Sequence, residues 1–190
     1  MPQRFYLGNI YHVYNRGNDR QRIFLEAENY RFFLDRLKCC LNAADVSLLA
    51  YCLMRNHYHL LVQLQYETDF SNVLRSFNSC YVKSFNKWHG RVGHLFQGNT
   101  HAKLVGNDRF LAHVCRHIHL NPVIAGLVEF PEQWEYSDYR LWIDENTEPT
   151  SANVSLRRIL FSTANEYRRF VLDYAAEIKA RSEVEKRLFG

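Results

Sequence analysis

A chain of 190 residues suits one domain of ordinary size with a terminal extension, or at most two small domains. Hydrophobic residues make up 47% of it, enough to bury a core, which excludes wholesale disorder. The net charge of +4 and pI of about 8.8 lean toward an anionic partner, with cations grouped at Arg16, Arg20 and Arg22 and again at Lys83, Lys87, Arg91 and Lys103.

The five cysteines, Cys39, Cys40, Cys52, Cys80 and Cys115, contain no pair with the two-residue gap of a zinc knuckle or redox motif. They read as free thiols of a reducing compartment. The segment MPQRFYLGNIYHVYN has no apolar signal-peptide core, and no apolar run reaches membrane-spanning length. The expectation is a cytoplasmic protein with no membrane segment.

Residues 9–15 alternate and are rich in β-formers, which predicts a strand, and RGNDRQ then reads as a turn. Residues 26–42 place Tyr30, Phe33, Leu34, Leu37, Cys40 and Leu41 at helical spacing. Residues 46–54 and 57–64 are two strands joined by the turn Arg55-Asn56, a hairpin. Asp69 is a suitable N-cap for a helix reaching Trp88, with the apolar stripe Leu74, Phe77, Tyr81, Phe85 and Trp88. Residues 100–105 form the last strand.

The order strand, helix, strand, strand, helix, strand is that of an α+β, ferredoxin-like βαββαβ arrangement. It predicts an antiparallel sheet of four strands with two helices on one face. A C-terminal helical extension follows. A helix over 108–120 is expected to stop at Asn121-Pro122. The polar stretch 144–155 is the best linker, and 163–188 reads as a helical tail. The domain reading is thus 1–143, with a core at about 9–105 and a helical extension over 106–143, then a linker and tail over 144–190.

CLMRNHYHLLVQ carries His57 and His59 one residue apart. Strand alternation puts both on one face, with Cβ atoms about 7 Å apart, close enough to converge on one ion. A satisfied surface pair has the same spacing, so spacing leaves both readings open. Two histidines also need a third ligand from elsewhere. Tyr81 has two readings as well. A tyrosine between Phe77 and Phe85 on a helix is a core residue by pattern, yet docking of that helix on the histidine face would make it a phosphorus nucleophile.

RNHYHLLV resembles the histidine–hydrophobic–histidine (HUH) motif. SCYVKSFNKWHGRVGHLFQGNTHAKLV resembles the tyrosine-bearing helix, loop and strand of the single-tyrosine HUH transposases, which have an IS200-like transposase domain. YHVYNRGNDRQRIF and HIHLNPVIAGLVEFPEQWEYSDY resemble flanking signatures of the REP-associated tyrosine transposase branch. The resemblance spans roughly residues 9–140, in matching order. It implies cleavage and rejoining of single-stranded DNA at hairpin-forming repeats, with Tyr81 attacking to give a 5′-phosphotyrosine and a free 3′-hydroxyl. It also implies Mg²⁺ or Mn²⁺ on His57 and His59, and it allows a homodimer. In related transposases the third ligand lies about one turn beyond the tyrosine. That position is Phe85, which cannot ligate, so Asn86 is the nearest candidate.

With a DNA partner, Arg16, Arg20, Arg22, Lys83, Lys87, Arg91 and Lys103 become phosphate contacts, and Tyr14, Trp88 and Phe96 become stacking platforms. Two alternatives belong to other classes. One is a nucleic-acid-binding module without catalysis, although the sheet lacks an aromatic RNA-binding signature. The other is a zinc hydrolase built on His113 and His117, spaced i, i+4, although the metalloprotease glutamate is missing because Val114 follows His113.

Overall fold

A computed structural model describes residues 4–147 and 151–189, with side chains described to residue 180. Four strands, β1 (Ile10–Arg16), β2 (Val46–Met54), β3 (His57–Leu64) and β4 (His101–Val105), form one antiparallel sheet in the order β2-β3-β1-β4. With α1 (Ala27–Ala43) and α2 (Phe70–Trp88) between the strands, this is the expected ferredoxin-like topology. The caps are local. Asp69 accepts from Asn72 N at the start of α2, and Glu26 and Asn29 form a capping box on α1.

Each face of the sheet supports its own core. On the first, Tyr11 and Val13 of β1 and Tyr58, Leu60 and Val62 of β3 meet Phe33 and Leu37 of α1 and Phe77, Tyr81 and Phe85 of α2. On the second, Ala50, Cys52 and Met54 of β2 and Leu61 of β3 meet α3 (Asp108–Ile124). Here α4 (Tyr139–Ile143), α5 (Ala152–Leu160) and α6 (Ala164–Phe189) contribute Trp142, Leu156, Tyr167 and Val171. A register shift between Leu48 and Ala50 marks a bulge, and both Leu49 and Ala50 join this second core. Among the described residues no helix is long and apolar enough to cross a membrane.

Two sequence expectations change. α3 does not stop at Asn121-Pro122 but runs through Pro122 to Ile124. Proline costs the helix only its own N–H and a local clash, and beyond it Ala125 N still bonds Asn121 O while Gly126 N bonds Val123 O. The extra turn holds Asn121 in helical geometry. Next, the end of the stretch expected to be a linker is the start of α5 from Ala152, and Val154 within it is buried, as is Leu156 just beyond. Residues 148–150 lie outside the described residues. Apolar side chains inside that polar stretch are drawn onto the open second face of the sheet.

Asp138 is the polar hub of this second layer and is 2% exposed. Its carboxyl accepts from Tyr51 N at 2.7 Å, His119 Nε2 at 3.0 Å, Trp142 Nε1 at 3.1 Å and Asn153 Nδ2 at 3.3 Å. The other nitrogen of His119 meets the Tyr167 hydroxyl. One side chain thus ties β2, α3, α4, α5 and, through His119, α6. The donors are satisfied without water, as burial requires.

Candidate functional site

Alternation along three paired strands builds the site. β1 sends His12 and Tyr14 to the second face, β3 sends His57 and His59, and β4 sends His101 and Lys103. The register sets Tyr14 opposite both His59 and His101, Arg16 opposite His57, and His12 opposite Lys103. The Tyr14 and His101 rings stack at 5.2 Å, and Lys103 Nζ lies 5.8 Å above the Tyr14 ring. Beside them opens a cleft of about 550 Å³. Tyr14, His57, His59 and His101 line it, with Arg16, Arg20, Asn56 and Gln97 at its polar edge.

The turn after β1 shapes that edge. Gly17 sits with φ −61, and a Cβ there would lie 2.1 Å from Gln21 O, so glycine is required by close approach and not by its dihedral freedom. Asp19 and Arg20 both take left-handed φ, at 50° and 56°, a strained conformation for residues with side chains. Gly17 N bonds Asn56 O, and Asn56 Nδ2 bonds Arg20 O, which locks the turn against the β2–β3 hairpin.

These bonds orient His57. Because Asn56 Nδ2 donates to Arg20 O, Asn56 Oδ1 is the acceptor facing His57 Nδ1, at 2.7 Å. That fixes the proton on Nδ1 and leaves the Nε2 lone pair free. Across 3.4 Å from Nε2 stands Asn121 Oδ1 on α3. The Asn121 amide is oriented in turn, because its Nδ2 donates to His117 O at 2.8 Å. Two acceptors therefore face each other, an arrangement that a cation satisfies. His59 Nδ1 meets His12 Nε2 at 2.9 Å, which keeps the other nitrogen of His59 available.

Burial lowers the basicity of the whole cluster. His12 drops from 6.5 to about 4 through burial, then through the charges of His117 and Lys103. Burial likewise pushes His57 and His117 down and His59 well down. Neutral imidazoles are the ligating form. Among the described residues no group of three or more His, Cys, Asp or Glu is arranged to hold a metal. The residues that could hold a divalent ion here are instead two imidazoles and one amide oxygen, His57, His59 and Asn121. Such a mixed N and O set suits Mn²⁺ at least as well as Mg²⁺.

The structure does not bring Tyr81 to this site. α2 packs on the opposite face of the sheet, where Tyr81 is 0% exposed. Its ring packs against Phe33 at 4.9 Å, and its hydroxyl donates to Ile23 O at 2.5 Å. Burial, and then the neighbouring Tyr30, push the phenol far above its ordinary value, the reverse of what an attacking phenolate needs. The physical reason is competition for the apolar face. The stripe of α2 buries most area against Tyr58, Leu60 and Val62, and the histidine face is left to α3.

Asn86 is also remote from the pair, with its Nδ2 on Gly93 O at 3.0 Å. The expected phosphate contacts divide. Arg16, Arg20 and Lys103 lie at the cleft or on its face. Lys83 and Lys87 are exposed on α2, on the other side of the sheet. Arg22 is exposed near Tyr30, and Arg91 bonds Gln21 and covers the Phe85 ring. Of the aromatic candidates, Tyr14 faces the cleft, Phe96 is buried in the first core, and Trp88 is exposed on α2. The two histidines of the zinc reading separate: His113 contacts Arg116 and Phe170, whereas His117 faces His59 and His12.

Sequence reasoning did not assemble His12, Asn121 and His117 with the HUH pair. One signal was legible: His12 and Tyr14 alternate in a strand as His57 and His59 do, and His117 and Asn121 are one helical turn apart.

No curated protein matches the chain. The structure of a REP-associated tyrosine transposase bound to a REP hairpin superposes with a TM-score of 0.62 and 20% identity, covering 78% of this chain and 88% of that one. A candidate transposase from Deinococcus radiodurans R1 superposes with a TM-score of 0.45 at 15% identity, covering 62% of this chain and 95% of that one. The family model for IS200-like transposases matches residues 6–121, the sheet, its two interleaved helices and α3 as far as Asn121. The chain belongs to the IS200-like transposase family.

Proposed function

We propose that this protein is a transposase that cleaves and rejoins single-stranded DNA on the histidine face of its sheet, at sequences that fold into hairpins. The observation that carries the reading is the opposition of His57 Nε2 and Asn121 Oδ1 at the edge of a cleft furnished with Arg16 and Arg20. His57, His59 and Asn121 would hold a divalent ion, Mg²⁺ or Mn²⁺. When bound, that ion would polarise a phosphate and offset charge on the leaving oxygen.

The rest falls to the chain itself. Arg16 and Arg20 neutralise backbone phosphates and make affinity salt-dependent. The Tyr14–His101 stack, with Lys103 above it, offers a platform for an unpaired base. A covalent link between protein and DNA keeps the energy of the phosphodiester, so a 3′-hydroxyl can reverse the step without ATP. Support for the hairpin comes from the structural neighbour, which was solved with a REP hairpin.

The test uses labelled single-stranded oligonucleotides with and without a hairpin, incubated with the full chain and Mn²⁺. Strand cleavage is expected, and it should vanish in EDTA and in His57→Ala and His59→Ala. Cleavage that persists undiminished in those variants sinks the reading. A second reading, a DNA-binding module without strand cleavage, is favoured by one observation: the tyrosine first expected to attack is buried with its hydroxyl on a backbone carbonyl. Tight hairpin binding with no cleavage under any divalent ion would select it.

A further inference from the structure

The DNA-cleavage reading needs an attacking group, and the face that carries His57 and His59 holds one with no task yet. His117 projects from α3, one helical turn before Asn121. Its ring meets His59 edge-on at a centroid separation of 5.5 Å and His12 at 6.3 Å. It reaches solvent at its edge while its neighbours crowd it enough to lower its basicity, and no hydrogen bond to its imidazole is seen among the described residues. Its neighbours are committed. His12 and His59 bond each other, and Asn121 spans the His117 carbonyl and His57.

The nearby tyrosines are poorer attackers. The Tyr58 hydroxyl is buried between Asn78 and Thr100, Tyr81 lies on the opposite face, and Tyr14, which lines the cleft, has its ring held in the stack with His101 beneath Lys103. An imidazole also needs no prior deprotonation to attack, because one ring nitrogen already carries an in-plane lone pair, whereas a phenol must first lose its proton. Four residues of α3 separate His117 from Asn121, a rise of about 6 Å, so a phosphate drawn to His57 and Asn121 would sit roughly one turn from the His117 ring.

We infer that His117 is the nucleophile of strand cleavage. The inference rests on the cleavage reading above. In the step, the lone pair of one ring nitrogen attacks phosphorus, so that an N–P bond forms and the P–O3′ bond breaks. The proton on the other ring nitrogen passes through water to the departing oxygen. The products are a 5′-phosphoryl-histidine and a free 3′-hydroxyl. Attack by a 3′-hydroxyl on the same phosphorus reverses the sequence and restores the imidazole.

The chemistry of the adduct decides the matter. The full chain is incubated with a hairpin oligonucleotide labelled 3′ to the cleavage site, with Mn²⁺, and the denatured product is split between acid and alkali. A phosphoramidate on histidine is lost in acid and survives alkali, whereas a tyrosine phosphodiester survives both. The expected result is an acid-labile adduct that mass spectrometry of alkaline digests places on the peptide containing His117. It should be absent in His117→Gln, with unchanged circular dichroism, and present in Tyr81→Phe. An acid-stable adduct overturns the inference in favour of a tyrosine and leaves the cleavage reading standing. Cut DNA with no adduct overturns it in favour of water and again leaves that reading standing. Uncut, bound DNA removes the cleavage reading, and the inference falls with it.

Discussion

Tyr81→Phe is the substitution that separates the two accounts of this protein most sharply. The ring of Tyr81 fills the first core among Phe33, Phe24 and Phe85, and phenylalanine keeps all of that area. What is lost is one hydrogen bond to Ile23 O, at a residue that is 0% exposed. A buried hydrogen bond contributes about 1 kcal/mol net, and leaving the carbonyl without its donor adds to the loss, so a destabilisation of about 1–2 kcal/mol is expected. For a chain of this size each kcal/mol moves the melting temperature by about 2–4 °C, giving a fall of roughly 2–8 °C. Urea unfolding read by tryptophan fluorescence should show a lower midpoint with an unchanged slope. Measured well below that midpoint, hairpin cleavage should stay within about twofold of the wild type, since full burial of the ring keeps the hydroxyl from the DNA. A variant that folds with unaltered stability and loses all cleavage would refute the reasoning. It would mean that α2 carries its tyrosine to the DNA.

Three further outcomes follow from the same geometry. Asn121→Ala removes the amide oxygen opposite His57 and should weaken Mn²⁺ binding by about tenfold or more, read as a smaller Mn²⁺-induced rise in melting temperature; an identical rise would discharge Asn121 as a ligand. Asp138→Ala strands four buried donors from four elements and should cost about 3–5 kcal/mol, which thermal melting would report as a fall of 10 °C or so; a loss under 1 kcal/mol would show that the hub is dispensable. In EDTA, stability should fall as pH drops from about 6.5 to about 4. His12 is held neutral in the fold but takes a proton readily when unfolded, so its contribution is full above 6.5 and is lost on acidification through the folded value; His12→Phe should flatten that part of the profile.

Much of this protein was legible in its residues. The order of elements, the hairpin closed by Arg55-Asn56, the Asp69 cap and the shared face of His57 and His59 all follow from period and local chemistry, and the structure has each of them. The sequence even held the hint that misled. Tyr58, Leu60 and Val62 form an unbroken apolar row, which is the better dock for the stripe of α2 than a face bearing two histidines. The proposed third ligand was out of reach for another reason. Asn121 is 64 residues from His57, and it sits in a turn that the proline pattern assigned to a loop.

Period fixes the phase of side chains within one element, because that phase depends only on backbone geometry. It does not say which layer covers which face. That choice is a contest for buried apolar area among segments far apart in the chain, and only the folded whole decides it. Here it sent Tyr81 into the core and laid α3, with His117 and Asn121, over the histidines.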